Sequence, residues 1–182
     1  MRFELRITGF GGQGVITAGR IFALAAMKTN PNLNVVYTPS YGFATRGGEA
    51  LSDVILDEDP INYPKVIKLD VLVALSQSAF NASVNIVKDG GLLIYDPDVI
   101  SDLTKLKKDA NVFKAKVSEA ASQVGSSIFS STIVLGILTV LLPSKLKESD
   151  VINTLEENLP KKYFDKNLYA FSLGKKIAGG SV

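Results

Sequence analysis

Gly9-Phe10-Gly11-Gly12-Gln13-Gly14 joins two segments of different period. Before it, Phe3 to Thr8 alternates apolar and charged residues as a strand does. After it, Val15 to Met27 carries Ile16, Ala23, Ala26 and Met27 at helical spacing. Strand, glycine loop, helix is the unit that decides the fold. Glycines at the carboxyl end of a strand permit positive φ and let a ligand or another chain approach the backbone. In an open α/β sheet that edge is where ligands bind.

Working outward, the alternation continues. Leu33 to Tyr37 reads as a strand, and a second glycine-rich loop, Ser40-Tyr41-Gly42-Phe43-Ala44-Thr45-Arg46-Gly47-Gly48-Glu49, follows it. Glu49 to Leu56 and the near-continuous apolar run Asp70 to Leu75 read as further strands. Gln77 to Lys88 is predicted helical, ended by Gly90-Gly91. Leu92 to Tyr95 and Asn111 to Lys116 are predicted strands, and helices fill most of what remains. The expectation is an α/β fold, one domain over residues 1–182, with a Rossmann-like sheet flanked by helices on both faces.

Composition narrows the chemistry. The 182 residues include no cysteine, histidine or tryptophan, and the net charge is +2. Iron–sulfur ligation, thiol nucleophiles and the commonest transition-metal ligand are therefore excluded from this chain, and no catalytic residue or metal ligand is assigned. No Walker lysine or serine elbow occurs. Lysines are interspersed with acids, which argues against nucleic acid or an anionic membrane as partner. The stretch from Ile128 to Leu142 is shorter than the roughly 20 apolar residues of a span and is stopped by Pro143, so it reads as a buried helix. Met1 to Arg6 is charged where a signal peptide would turn apolar, and a cytoplasmic location is expected.

The first loop matches Gly-x-Gly-x-x-Gly at Gly9, Gly11 and Gly14. The second strand, however, runs Val35-Val36-Tyr37 into Thr38-Pro39-Ser40 without the acid that takes a ribose hydroxyl. Three readings stand: a dinucleotide site, a structural turn, or a loop whose amides and Gln13 side chain face an anionic ligand or a partner's backbone. In the second loop Arg46 either grips a carboxylate or phosphate with two prongs or pairs with Glu49. Tyr41 either anchors a partner or covers the core.

Together these loops resemble the gamma subunit of the 2-oxoacid:ferredoxin oxidoreductases. The resemblance is carried by Gly11-Gly12-Gln13-Gly14 with Thr17-Ala18-Gly19 after it, by Ser40-Tyr41-Gly42 and Arg46-Gly47-Gly48, and by Ile61-Asn62-Tyr63-Pro64. Gln77-Ser78-Ala79-Phe80 and Gly90-Gly91 also fall where the family has them. Family members often carry an asparagine where this chain has Ser130-Ser131-Thr132, and a proline where it has Phe43-Ala44.

The resemblance implies a subunit of an enzyme that oxidatively decarboxylates a 2-oxoacid to an acyl-CoA and reduces ferredoxin. It implies partners: alpha- and beta-type chains holding thiamine diphosphate, and a ferredoxin-like chain holding iron–sulfur clusters. No cofactor is expected on this chain alone, and coenzyme A is expected in the complex. The candidates for ligand or partner contact are Gly11, Gly12, Gln13, Gly14, Ser40, Tyr41, Gly42, Arg46, Gly47, Gly48 and Glu49. Two other functions compete with it, a stand-alone nucleotide-binding dehydrogenase and a non-catalytic assembly module of the same fold.

Overall fold

Strand β1 (Phe3–Phe10) buries Leu5 and Ile7 completely, and α1 (Val15–Thr29) packs Val15, Ala18, Ile21, Phe22, Ala25 and Ala26 against the same side. The computed structural model describes residues 1–41 and 48–179. Around that first unit stand β2 (Asn34–Tyr41), β3 (Glu49–Asp57), β4 (Leu69–Ala74), α2 (Gln77–Ser83), β5 (Val87–Tyr95) and β6 (Asn111–Lys114). Four helices complete the chain: α3 (Val117–Val124), α4 (Ser130–Leu141), α5 (Glu148–Asn158) and α6 (Phe164–Ile177).

The six strands form one mixed sheet in the order β2-β3-β1-β4-β5-β6. β1, β4, β5 and β6 run parallel, whereas β3 is antiparallel to both β1 and β2. The connection from β2 to β3 is too short for a crossover helix, so these strands pair as a hairpin-like unit. β3 then inserts between β1 and β2.

Helices cover the two faces unequally. Alternate residues Val71 and Val73 of β4 join the large core with α1, α3, α4, α5 and α6. Leu72 and Ala74 point the other way, to a smaller core with Phe80 of α2, Val84 and Leu93.

The stretch expected to be one helix, Gln77 to Lys88, is divided. The α-helix stops at Ser83, a single 3-10 turn spans Val84–Ile86, and Val87 starts β5. Gly90 and Gly91 therefore do not terminate a helix. They lie inside β5, where its register against β4 jumps from Leu69↔Val87 to Val71↔Leu92. Gly90 takes φ +74°, as a bulge needs. Val84 and Val87 have helical spacing, but both are buried in the smaller core against the sheet.

The apolar stretch after Ile128 forms α4, buried from Ser130 to Thr139 and ended before Pro143. Among the described residues no helix is long and apolar enough to cross a membrane. α4 crosses α6 backbone to backbone at Gly136 and Gly174. A Cβ on Gly136 would meet the Phe171 carbonyl oxygen, and one on Gly174 the Ile133 carbonyl oxygen.

Candidate functional site

The first glycine loop and the described ends of the second, Ser40-Tyr41 and Gly48-Glu49, stand at the same edge of the sheet, and one backbone bond ties them. The Gly11 N–H donates to the Gly48 carbonyl at 2.8 Å. Gln13 fastens the first loop from within: its Oε1 accepts from the Phe10 N–H at 2.7 Å, and its Nε2 donates to the Leu75 carbonyl at 3.2 Å. Both ends of its amide are used inside the chain, linking the end of β1 to the end of β4. The loop is thereby held without a ligand.

Gly12 and Gly14 both have positive φ, +97° and +70°, but their surroundings differ. Gly14 starts α1 with left-handed backbone and lies against the α4 region. A Cβ there would sit 2.7 Å from the Ser131 Cβ and 2.9 Å from the Ile128 carbonyl oxygen. Gly14 is therefore required by packing. Among the described residues, a Cβ on Gly12 would meet nothing within 4 Å.

Of the second loop, Ser40, Tyr41, Gly48 and Glu49 are described; Gly42, Arg46 and Gly47, and with them the expected Arg46–Glu49 pair, lie outside the described residues. Ser40 pairs with Leu51 and Tyr41 with Ala50 across β2 and β3, while Glu49 pairs with Phe10 of β1. Tyr41 is 72% exposed, so it does not serve the core. Ser40, Tyr41 and Glu49 line a cavity of about 320 Å³ together with Arg6, Thr8 and Ser83. This cavity is on the sheet face that α2 only partly covers.

The floor of that cavity holds a feature not anticipated from sequence. Arg6 donates from Nε and Nη2 to the two carboxylate oxygens of Asp53, 2.7 Å each, and from Nη1 to the Ser83 hydroxyl at 3.3 Å. The two residues face each other across the β1–β3 ladder. Each alone is one charge in a strand; only the pairing of those strands makes a two-pronged bond. Behind the sheet, the Tyr37 hydroxyl donates to the Ile16 carbonyl at 2.8 Å, and burial raises its pKa above the ordinary phenol value.

The Ser130-Ser131-Thr132 run is also more than a helix start. All three residues are buried, and Thr132 donates to the Asn167 side chain of α6 at 2.7 Å. The run of hydroxyls before an apolar helix was the available signal, but their partners are remote in sequence.

The family model for pyruvate ferredoxin/flavodoxin oxidoreductase matches residues 4–177. The chain is 39% identical over 179 residues to the 2-oxoglutarate synthase subunit KorC of Methanocaldococcus jannaschii, covering 98% of this chain and 95% of that one. Its fold matches the crystal structure of a keto/oxoacid ferredoxin oxidoreductase gamma subunit from Geobacter sulfurreducens with a TM-score of 0.79 and 28% identity, over 98% and 97% of the two chains. A 2-oxoglutarate:ferredoxin oxidoreductase from Magnetococcus marinus, solved with 2-oxoglutarate, coenzyme A and succinyl-CoA bound, contains the fold with a TM-score of 0.86 and 22% identity. There it covers all of this chain and 32% of the longer one. With a family match over nearly the whole length and a relative of almost equal span, the chain belongs to the pyruvate ferredoxin/flavodoxin oxidoreductase family, as a gamma-type subunit of the 2-oxoacid:ferredoxin oxidoreductases.

Proposed function

We propose that residues 1–182 act as one gamma-type domain within an enzyme that converts a 2-oxoacid to an acyl-CoA while reducing ferredoxin. The relative from Methanocaldococcus jannaschii favours 2-oxoglutarate as the acid. With no cysteine and no histidine, this chain does not fit iron–sulfur clusters, so they belong to a ferredoxin-like companion chain. The thiamine diphosphate that supplies the carbanion chemistry belongs to alpha- and beta-type companions. The competing dehydrogenase reading is disfavoured by the missing ribose acid after β2, where Thr38, Pro39 and Ser40 stand.

The observation that supports the site reading is the bond between Gly11 and Gly48, which sets the end of the second loop against the first. On this reading Gly11, Gly12, Gly14, Ser40, Tyr41, Gly42, Gly47, Gly48 and Glu49 shape that surface. Gln13 braces it, and Arg46 grips a phosphate of coenzyme A or a carboxylate of a companion chain. Turnover is measured in the complex reconstituted with companion chains. Arg46→Lys should then fail almost as fully as Arg46→Ala, since an ammonium lacks the planar two-pronged geometry. The isolated chain should not reduce a viologen dye with 2-oxoacid and coenzyme A present. Steady dye reduction by it alone sinks the subunit reading; normal coenzyme A dependence and assembly in Arg46→Ala removes Arg46 from the site.

A further inference from the structure

On the helical face of the sheet, residues of α1, α4 and α6 enclose a second cavity, of about 330 Å³. Its buried members are one ring and two polar side chains: Phe129 is 6% exposed, Ser131 5% and Asn167 6%. Toward solvent the lining turns apolar, with Ile128 and Tyr163 half exposed beside Leu159 and Pro160. A polar depth under an apolar mouth is the arrangement of a small-molecule site, in which a few placed polar groups fix a ligand's head and apolar walls hold its body.

The polar groups identify the head. Asn167 donates one amide N–H to the Tyr163 carbonyl at 2.9 Å and accepts from the Thr132 hydroxyl at 2.7 Å, so its second N–H remains available. The Ser126 oxygen accepts from the Ile128 N–H at 3.4 Å, which leaves its hydroxyl hydrogen to donate, and Thr17 adds another hydroxyl. Lys166 is the one charged residue of the lining; no acid lines it, and Glu157, close by in sequence, is taken by Lys28 at 2.6 Å. Donors and one cation call for an oxyanion. With one positive charge and no second cation, the balance matches a carboxylate; a phosphate dianion would bring a charge that meets no partner.

We propose that this cavity is a binding site for a small monocarboxylate with an aromatic or branched aliphatic body. The carboxylate is held by Lys166 and the Asn167 amide, and the body lies against Phe129 and Tyr163. The walls are fixed beforehand. Ser127 donates to the Gly12 carbonyl at 3.3 Å and holds the turn that carries Ser126 and Ile128, while Asn167 holds the turn that carries Tyr163. Binding therefore orders little of the protein.

The test is calorimetric titration of phenylacetate into the full chain, in wild type, Lys166→Met and Lys162→Met. Wild type should bind it at one saturable site with Kd below about 1 mM. Lys166→Met should weaken binding by about tenfold or more, because it removes the charge that the carboxylate meets. Lys162 is exposed and lies outside the lining, so Lys162→Met should stay within about twofold of wild type. Both lysines are exposed, and both variants should melt as wild type does. 2-Phenylethanol, which has the same body without the charge, should bind about tenfold more weakly or not at all. No saturable binding by wild type, or equal affinity in Lys166→Met, overturns the proposal, as does 2-phenylethanol binding as tightly as phenylacetate. Displacement of phenylacetate by inorganic phosphate overturns it by making the site one for phosphate. Displacement by coenzyme A overturns it by assigning the cavity to the loop surface already described.

Discussion

Replacing Gly14 by alanine should cost more than replacing Gly12, although Gly12 has the more positive φ. An L-residue held in left-handed backbone loses about 1–2 kcal/mol, partly offset by about 0.4–1 kcal/mol because alanine restricts the unfolded chain. At Gly12 a Cβ meets nothing within 4 Å among the described residues, so the net loss is about 1 kcal/mol. At Gly14 the methyl would sit 2.7 Å from Ser131 Cβ and 2.9 Å from the Ile128 carbonyl oxygen. Neither is the far end of a flexible side chain, so α1 and the start of α4 must move apart. Overpacking of this kind adds about 1–3 kcal/mol, which brings Gly14→Ala to about 2–4 kcal/mol. Urea unfolding followed by circular dichroism measures both variants. In thermal melts the difference is about 2–4 °C for Gly12→Ala against about 4–16 °C for Gly14→Ala, at the sensitivity of a domain this size. Equal losses, or a Gly14→Ala variant as stable as wild type, would refute the packing argument and leave the first loop an ordinary turn.

The α4–α6 crossing gives a second expectation: Gly136→Ala and Gly174→Ala each gain helix propensity of about 1 kcal/mol yet should destabilise by about 2 kcal/mol net, because each methyl meets a backbone carbonyl. A raised denaturation midpoint in either would contradict the close approach. Arg6→Met, which leaves Asp53 largely buried and unpaired, should cost about 3 kcal/mol, whereas Arg6→Met/Asp53→Leu should recover much of it; chemical denaturation of the single and double variants decides. The pKa of the Tyr37 phenol is raised by burial, so the folded state favours the neutral form. That contribution is intact below the ordinary phenol pKa of 10.0 and is lost as pH rises through the higher folded value. Stability should therefore fall more steeply above about pH 10 in wild type than in Tyr37→Phe, and identical alkaline profiles would show that Tyr37 does not titrate with unfolding.

How much of this was legible beforehand follows from the range of the forces involved. Strand β1, the glycine loop and α1 were readable from residues 3–27 because period, turn chemistry and helix start are local properties. The absence of cysteine and histidine likewise bounded the chemistry without any structure. The stretch from Gln77 to Lys88 misled because Val84 and Val87 fit a helix locally, and only burial against β4 and Phe80 sends Val87 into a strand. The antiparallel insertion of β3 and the pairing of Arg6 with Asp53 depend on which strands meet. The contact of Gly14 with Ser131 and the tie from Gly11 to Gly48 depend on how helices and loops meet. Such contacts join residues far apart in sequence, and their cost and gain are settled only when the chain closes on itself. The candidate site residues were therefore written in the chain, while the contact that joins Gly11 to Gly48 was decided by tertiary packing.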